Sequence, residues 1–84
     1  MTTATTTATA MFDGYDVCKN ELATAGNLQA ITDETLENAL ETARYLDQVA
    51  EMISNGGQRR EKQQANYKVY LPVVAEMRKR GLIS

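Results

Sequence analysis

Apolar residues recur every third or fourth position from Thr32 to Ile53, TDETLENALETARYLDQVAEMI. With Leu36 as the first heptad position, Leu36, Ala39, Ala43, Leu46, Ala50 and Ile53 fall on one seam, which Leu40 and Val49 widen. Glu34, Glu37, Glu41 and Glu51 lie on the opposite side with Arg44. The pattern predicts an amphipathic helix of roughly 33 Å. Thr32 is its expected cap, Asp33 and Glu34 put negative charge at the positive end of the helix dipole, and Ile31 and Leu36 stand at hydrophobic-staple spacing. Ser54-Asn55-Gly56-Gly57 is the expected stop, because Asn and Gly tolerate the left-handed conformation that closes helices. The seam reads first as an intramolecular core face. Its three alanines also suit a self-association seam between two chains.

The flanking elements are less regular. Met11–Gly26 reads as a shorter helix with Asp13 as candidate cap and Tyr15, Cys18, Leu22 and Ala25 on one face, followed by a short NLQAI connection. In the last third, Tyr67, Tyr70, Val74 and Met77 form a stripe at helical spacing, interrupted by Pro72. Proline removes a helical N–H and disfavours helix at the preceding residue. A kink or a break is therefore expected near 70–72, with two separate segments favoured. Gly81 and Leu82 suit a Schellman closure after Arg80. No period-two run is long enough for a strand. The expected fold is all-α: a small bundle of three to four helices built on an antiparallel hairpin of 32–54 and 58–80.

Composition sharpens this in two ways. The leader MTTATTTATA has no bulk to bury, so residues 1–10 are expected to be disordered and 11–84 to form a single domain. The chain has no His and one Cys, which leaves neither an intrachain disulfide nor a zinc ligand set. No metal or cofactor is expected. A core this small is often supplemented by self-association. No apolar run reaches membrane-spanning length, and no basic-then-apolar signal opens the chain, so a cytoplasmic protein is expected.

Charge is divided along the chain. Residues 1–57 hold nine acids and two bases, net −7; residues 58–84 hold seven bases and two acids, net +5. Three readings follow. The basic helix neutralises the acidic ones; or Glu34, Glu37, Glu41 and Glu51 form an acidic partner-binding face; or Arg59, Arg60, Lys62, Lys68, Arg78, Lys79 and Arg80 contact nucleic-acid phosphates, with Tyr67 and Tyr70 available to stack on bases. The overall net charge of −2 weighs against the last.

Catalytic chemistry finds little here. Without His, Cys18 has no activating base, and its place on an apolar face marks it as core. Glu37 and Glu41 sit on an exposed-looking face, and a filled core of this size is expected to leave no pocket of ~300 Å³ or more. The chain therefore reads as a non-enzymatic protein–protein interaction module, such as a regulator, inhibitor, adaptor or assembly subunit, that forms a homo-oligomer through its seam. A nucleic-acid-associated protein is the alternative. The leader and compact body are in the style of small phage or accessory bacterial proteins and carry no family pattern.

Overall fold

The structure, a computed structural model, describes residues 3–83, with side chains from Asp13 onward. The leader expected over 1–10 lies outside the side chains so described. Three helices make up the described residues: α1 (Thr3–Thr24), α2 (Asp33–Glu51) and α3 (Gly56–Lys79), with no strand. They run up, down and up. The α2–α3 hairpin is antiparallel as expected, and α2 packs along both neighbours, whereas α1 and α3 meet only sparsely.

The start of α2 follows its sequence closely. Thr32 caps it by accepting from the Thr35 amide at 3.2 Å, and Ile31 and Leu36 are both buried across the cap. Leu36, Ala39 and Ala43 are fully buried, Leu40 and Ala50 nearly so. They meet Cys18, Leu28, Val69, Val73 and Met77 in the core.

Four expectations are corrected. Asp13 is an exposed interior residue of α1, not its cap, because the helix begins upstream. The Ser54–Gly57 segment does not close α2 through a left-handed residue: among the described residues only Gly26 and Gly81 have positive φ. Instead Asn55 caps α3, its side chain accepting from the Gln58 amide at 2.9 Å, and Gly56 and Gly57 form the first turn of that helix. Pro72 does not divide the last helix. Its ring costs one backbone bond, to the Lys68 carbonyl, but Lys68 is exposed and water can take that place, while Val69 and Val73 hold both sides of the proline in the core. Finally, the buried stripe of α3 is Asn66, Val69, Val73 and Met77, one register away from the aromatic stripe; Tyr70 and Val74 only flank the core, and Tyr67 is exposed. The Schellman closure at Gly81 is present, with the Leu82 amide donating to the Met77 carbonyl at 2.9 Å and the Gly81 amide to that of Arg78 at 3.0 Å.

Two features set how the helices approach. Gly14 is buried where α1 crosses α2; a β-carbon there would lie 2.7 Å from Asn38 Cβ and 3.1 Å from the Thr35 carbonyl oxygen. The absent side chain is what allows contact so close. At the other end, Arg80 ties α3 to the α1–α2 connection. It pairs with Asp33 and Glu76, each at 2.8 Å, and donates to the carbonyls of Leu28 (3.0 Å) and Gln29 (3.1 Å).

Gly14→Ala adds a favourable helix former of about 1 kcal/mol but forces the α1–α2 crossing apart, at a cost of about 1–3 kcal/mol. Net destabilisation is expected, read as a lower urea midpoint. Asn38→Gly in the same chain removes the Cβ it would strike and should recover part of the loss beyond the cost of that change alone.

Candidate functional site

The structure places the two predicted surfaces of α2 differently. Glu34, Glu37, Glu41 and Glu51 are all exposed and follow one side of the helix. The proposed seam is divided: Leu36, Ala39, Ala43 and Ala50 are covered by the chain's own helices, while Leu46 and Ile53 are only half-buried. The covered portion is intramolecular core. The partly open portion leads into a groove.

That groove, of about 800 Å³, is bounded by all three helices. Leu46, Val49, Ala50 and Ile53 of α2 form its floor; Tyr15, Lys19, Leu22 and Ala23 form the α1 wall; Lys62, Ala65, Asn66, Lys68 and Val69 form the α3 wall. The expectation that no space above ~300 Å³ would remain is thus wrong. Two physical causes act together: α1 and α3 make only sparse contact with each other, and Ala23, Ala50 and Ala65 present single methyls where longer side chains would have reached into the space. The lining is chiefly apolar, carries three lysines and, among the described residues, no acid. In a chain with more acids than bases, that is a local inversion of charge.

The inner end of the groove is fixed by Asn66, which sequence reading missed. It donates through Nδ2 to the Ala43 carbonyl at 2.8 Å and accepts at Oδ1 from the Tyr15 hydroxyl at 2.9 Å, joining α3 to both other helices. Among the described residues, no buried side-chain nitrogen or oxygen lacks a partner. Burial and, less strongly, Asp16 raise the pKa of Tyr15, so its hydroxyl remains a donor at neutral pH. A signal was present: positions 66, 69, 73 and 77 keep helical spacing, with asparagine standing where an apolar residue would be expected.

The remaining bases do not gather into one track. Arg59 and Arg60 lie at the start of α3 and Arg78 and Lys79 at its end, about 27–30 Å away along the axis. Arg59 also reaches the Ile53 carbonyl at 3.4 Å. Arg80 is held by Asp33 and Glu76, which also raise its pKa, and so is engaged in the fold rather than offered to phosphate. Lys62 and Lys68 belong to the groove. Tyr67 donates to Asp47 at 3.2 Å and its ring lies 6.1 Å from that of Tyr70.

Cys18 is fully buried, as expected. Burial first, then the neighbouring charge of Glu21, pushes its thiol up to about 11. It is a protonated core residue at neutral pH. Among the described residues, no group of three or more potential ligands is placed to hold a metal, and no helix is long and apolar enough to cross a membrane. Compared with protein-family models, curated proteins and solved structures, the chain matches none.

Two predictions follow from these side chains. Asn66→Ala should cost about 1–3 kcal/mol, since it strands buried partners. In a double-mutant cycle with Tyr15→Phe by urea denaturation, the two losses should be markedly less than additive. At pH 8, native Cys18 should react with an aromatic disulfide reagent far more slowly than in urea. The rate should be limited by the fraction of thiolate and by opening of the bundle; a rate equal to that of the unfolded chain would contradict burial.

Proposed function

We propose that this protein works by binding rather than turnover, as a helical protein–protein interaction module whose docking site is the groove between α1, α2 and α3. The observation that carries the reading is the groove itself: about 800 Å³, largely apolar, open, and edged by Lys19, Lys62 and Lys68 without an acid among its described lining. Its walls are helices, and its floor is a ridge of α2 at i, i+3 and i+7, with Val49 exposed, Leu46 and Ile53 half-buried and Ala50 beneath them, the kind of ridge onto which another helix packs. An amphipathic helix with acidic flanks fits such a site: its apolar face enters the groove and its carboxylates meet the lysines. The same helix would complete a four-helix arrangement over the gap that α1 and α3 leave.

Other features support binding over catalysis. Cys18 is held as a protonated thiol inside the core. The dispersal of Arg59 and Arg60 from Arg78 and Lys79 favours the groove over a phosphate track. The exposed acids Glu34, Glu37, Glu41 and Glu51 provide a second surface for a basic partner, and a regulator, adaptor or assembly subunit would use both.

The reading is tested by selecting displayed helical peptides on immobilised protein at a density where chains do not meet. Peptides with apolar residues at i, i+3 or i+4 and i+7 and flanking Asp or Glu should be enriched. Ala65→Trp, which fills the groove from an exposed position, should lower their retention at least ~10-fold, equivalent to 1.4 kcal/mol, without lowering the melting temperature. Absence of enrichment, or equal retention by the filled variant, would refute the reading.

A further inference from the structure

The turn between α2 and α3 holds the one asparagine of the chain that is followed by glycine, Asn55-Gly56. The backbone nitrogen after an asparagine can attack the carbonyl carbon of that asparagine's own side chain, and glycine, without a β-carbon, hinders the approach least. The other asparagines are placed against this reaction. Asn20, Asn38 and Asn66 lie within helices, where the next amide is committed to the carbonyl four residues back. Asn27 is engaged on both sides, donating to the Ala25 carbonyl at 3.3 Å and accepting from the Gln29 amide at 3.1 Å, and the buried Leu28 follows it. Gly56 is the first residue of α3, so its amide has no partner within the helix.

The folded cap opposes the attack. Asn55 Oδ1 accepts from the Gln58 amide at 2.9 Å, and the extended backbone at Asn55, with ψ of 113°, turns the Gly56 nitrogen away from the side chain. Cyclisation therefore requires the first turn of α3 to open. Little resists that opening. Every residue from Ser54 to Lys62 is exposed, so unwinding this end uncovers no core, and Gly56 and Gly57 are poor helix formers.

We propose that Asn55 is a site of spontaneous deamidation, gated by opening of the start of α3. The Gly56 nitrogen, its proton lost to solvent, bonds to Asn55 Cγ. The Cγ–Nδ2 bond breaks, the nitrogen takes up a proton and ammonia leaves, and a five-membered succinimide remains. Water then opens the ring without any change of oxidation state. Attack at Cγ restores the ordinary backbone with an aspartate; attack at the main-chain carbonyl carbon routes the chain through the side chain as isoaspartate. Both products add one negative charge, but they part in effect. The aspartate keeps the cap and sets its charge at the positive end of the helix dipole. The isoaspartate lengthens the backbone by a methylene, which shifts the capping oxygen out of register with the Gln58 amide and leaves the first turn frayed. This inference stands apart from the docking reading.

The experiment is ageing of the full chain at neutral pH and body temperature, followed by peptide mass mapping and enzymatic methylation of isoaspartyl carboxylates. The peptide holding Asn55 should gain one mass unit at least ~10-fold faster than any peptide holding another asparagine. In urea the same peptide should change faster still, because no opening is then needed. Gly56→Ala is the control. Gly56 does not have positive φ, and a β-carbon there meets only Arg59 Nη2 at 3.9 Å, so the fold accepts it. That variant should slow the change at least ~10-fold at an unchanged melting temperature. Asn55→Asp should melt no lower than the wild type, whereas the isoaspartyl fraction isolated from aged protein should have lost helical circular dichroism. The proposal is overturned if Asn55 stays unmodified over a period in which the urea-unfolded chain is modified, if another asparagine changes first, or if Gly56→Ala ages at the wild-type rate.

Discussion

The bundle turns on Asn66. One amide side chain donates to the Ala43 carbonyl of α2 and accepts from the Tyr15 hydroxyl of α1, so a single residue of α3 holds both other helices. Apolar contacts favour burial without direction. A buried amide is different, because any sliding or rotation that breaks its bonds leaves polar groups without partners in a poor solvent for them. It therefore selects one register from the several that leucine, alanine and valine would allow, as a buried asparagine selects register in paired helices. α1 and α3 otherwise meet sparsely, so this tie matters most between these two helices.

Around that tie, small residues decide distance. Gly14 lets α1 rest against the backbone of α2, and Ala39 and Ala43 keep the centre of α2 thin. Arg80 fastens the opposite end through two carboxylates and two carbonyls. Beside the C-terminal half of α2 a groove remains. Ala23, Ala50 and Ala65 lack the volume to fill the remaining gap. Lys19, Lys62 and Lys68 stand along the edge of that space.

The division of charge along the chain has more than one role in the folded molecule. Arg80 neutralises Asp33 and Glu76 within the fold, whereas Lys62 and Lys68 join Lys19 from the acidic part of the sequence at one site. A basic third read linearly suggests a phosphate-binding tail. Folded, its members separate into a structural clamp, a groove edge and two distant pairs. Protein docking, proposed here as the function, draws on the edge and on the exposed acids of α2.

Local chemistry was legible in the sequence wherever neighbours along the chain decide the outcome. The all-α class, the Thr32 cap, the Ile31–Leu36 staple, the buried face of α2, the core position of Cys18 and the closure at Gly81 all depend on residues within a turn or two of each other. Asn55 was misplaced because a residue that suits the end of one helix also suits the start of the next. Pro72 was overweighted because its cost is local, while the core contacts of Val69 and Val73 that offset it are not. The register of α3 was missed because asparagine ordinarily faces water; only partners 23 and 51 residues away make it a core residue. The groove had no signal along the chain at all. It is an absence of volume between helices, and it exists only once Gly14, Asn66 and Arg80 have set the positions of all three.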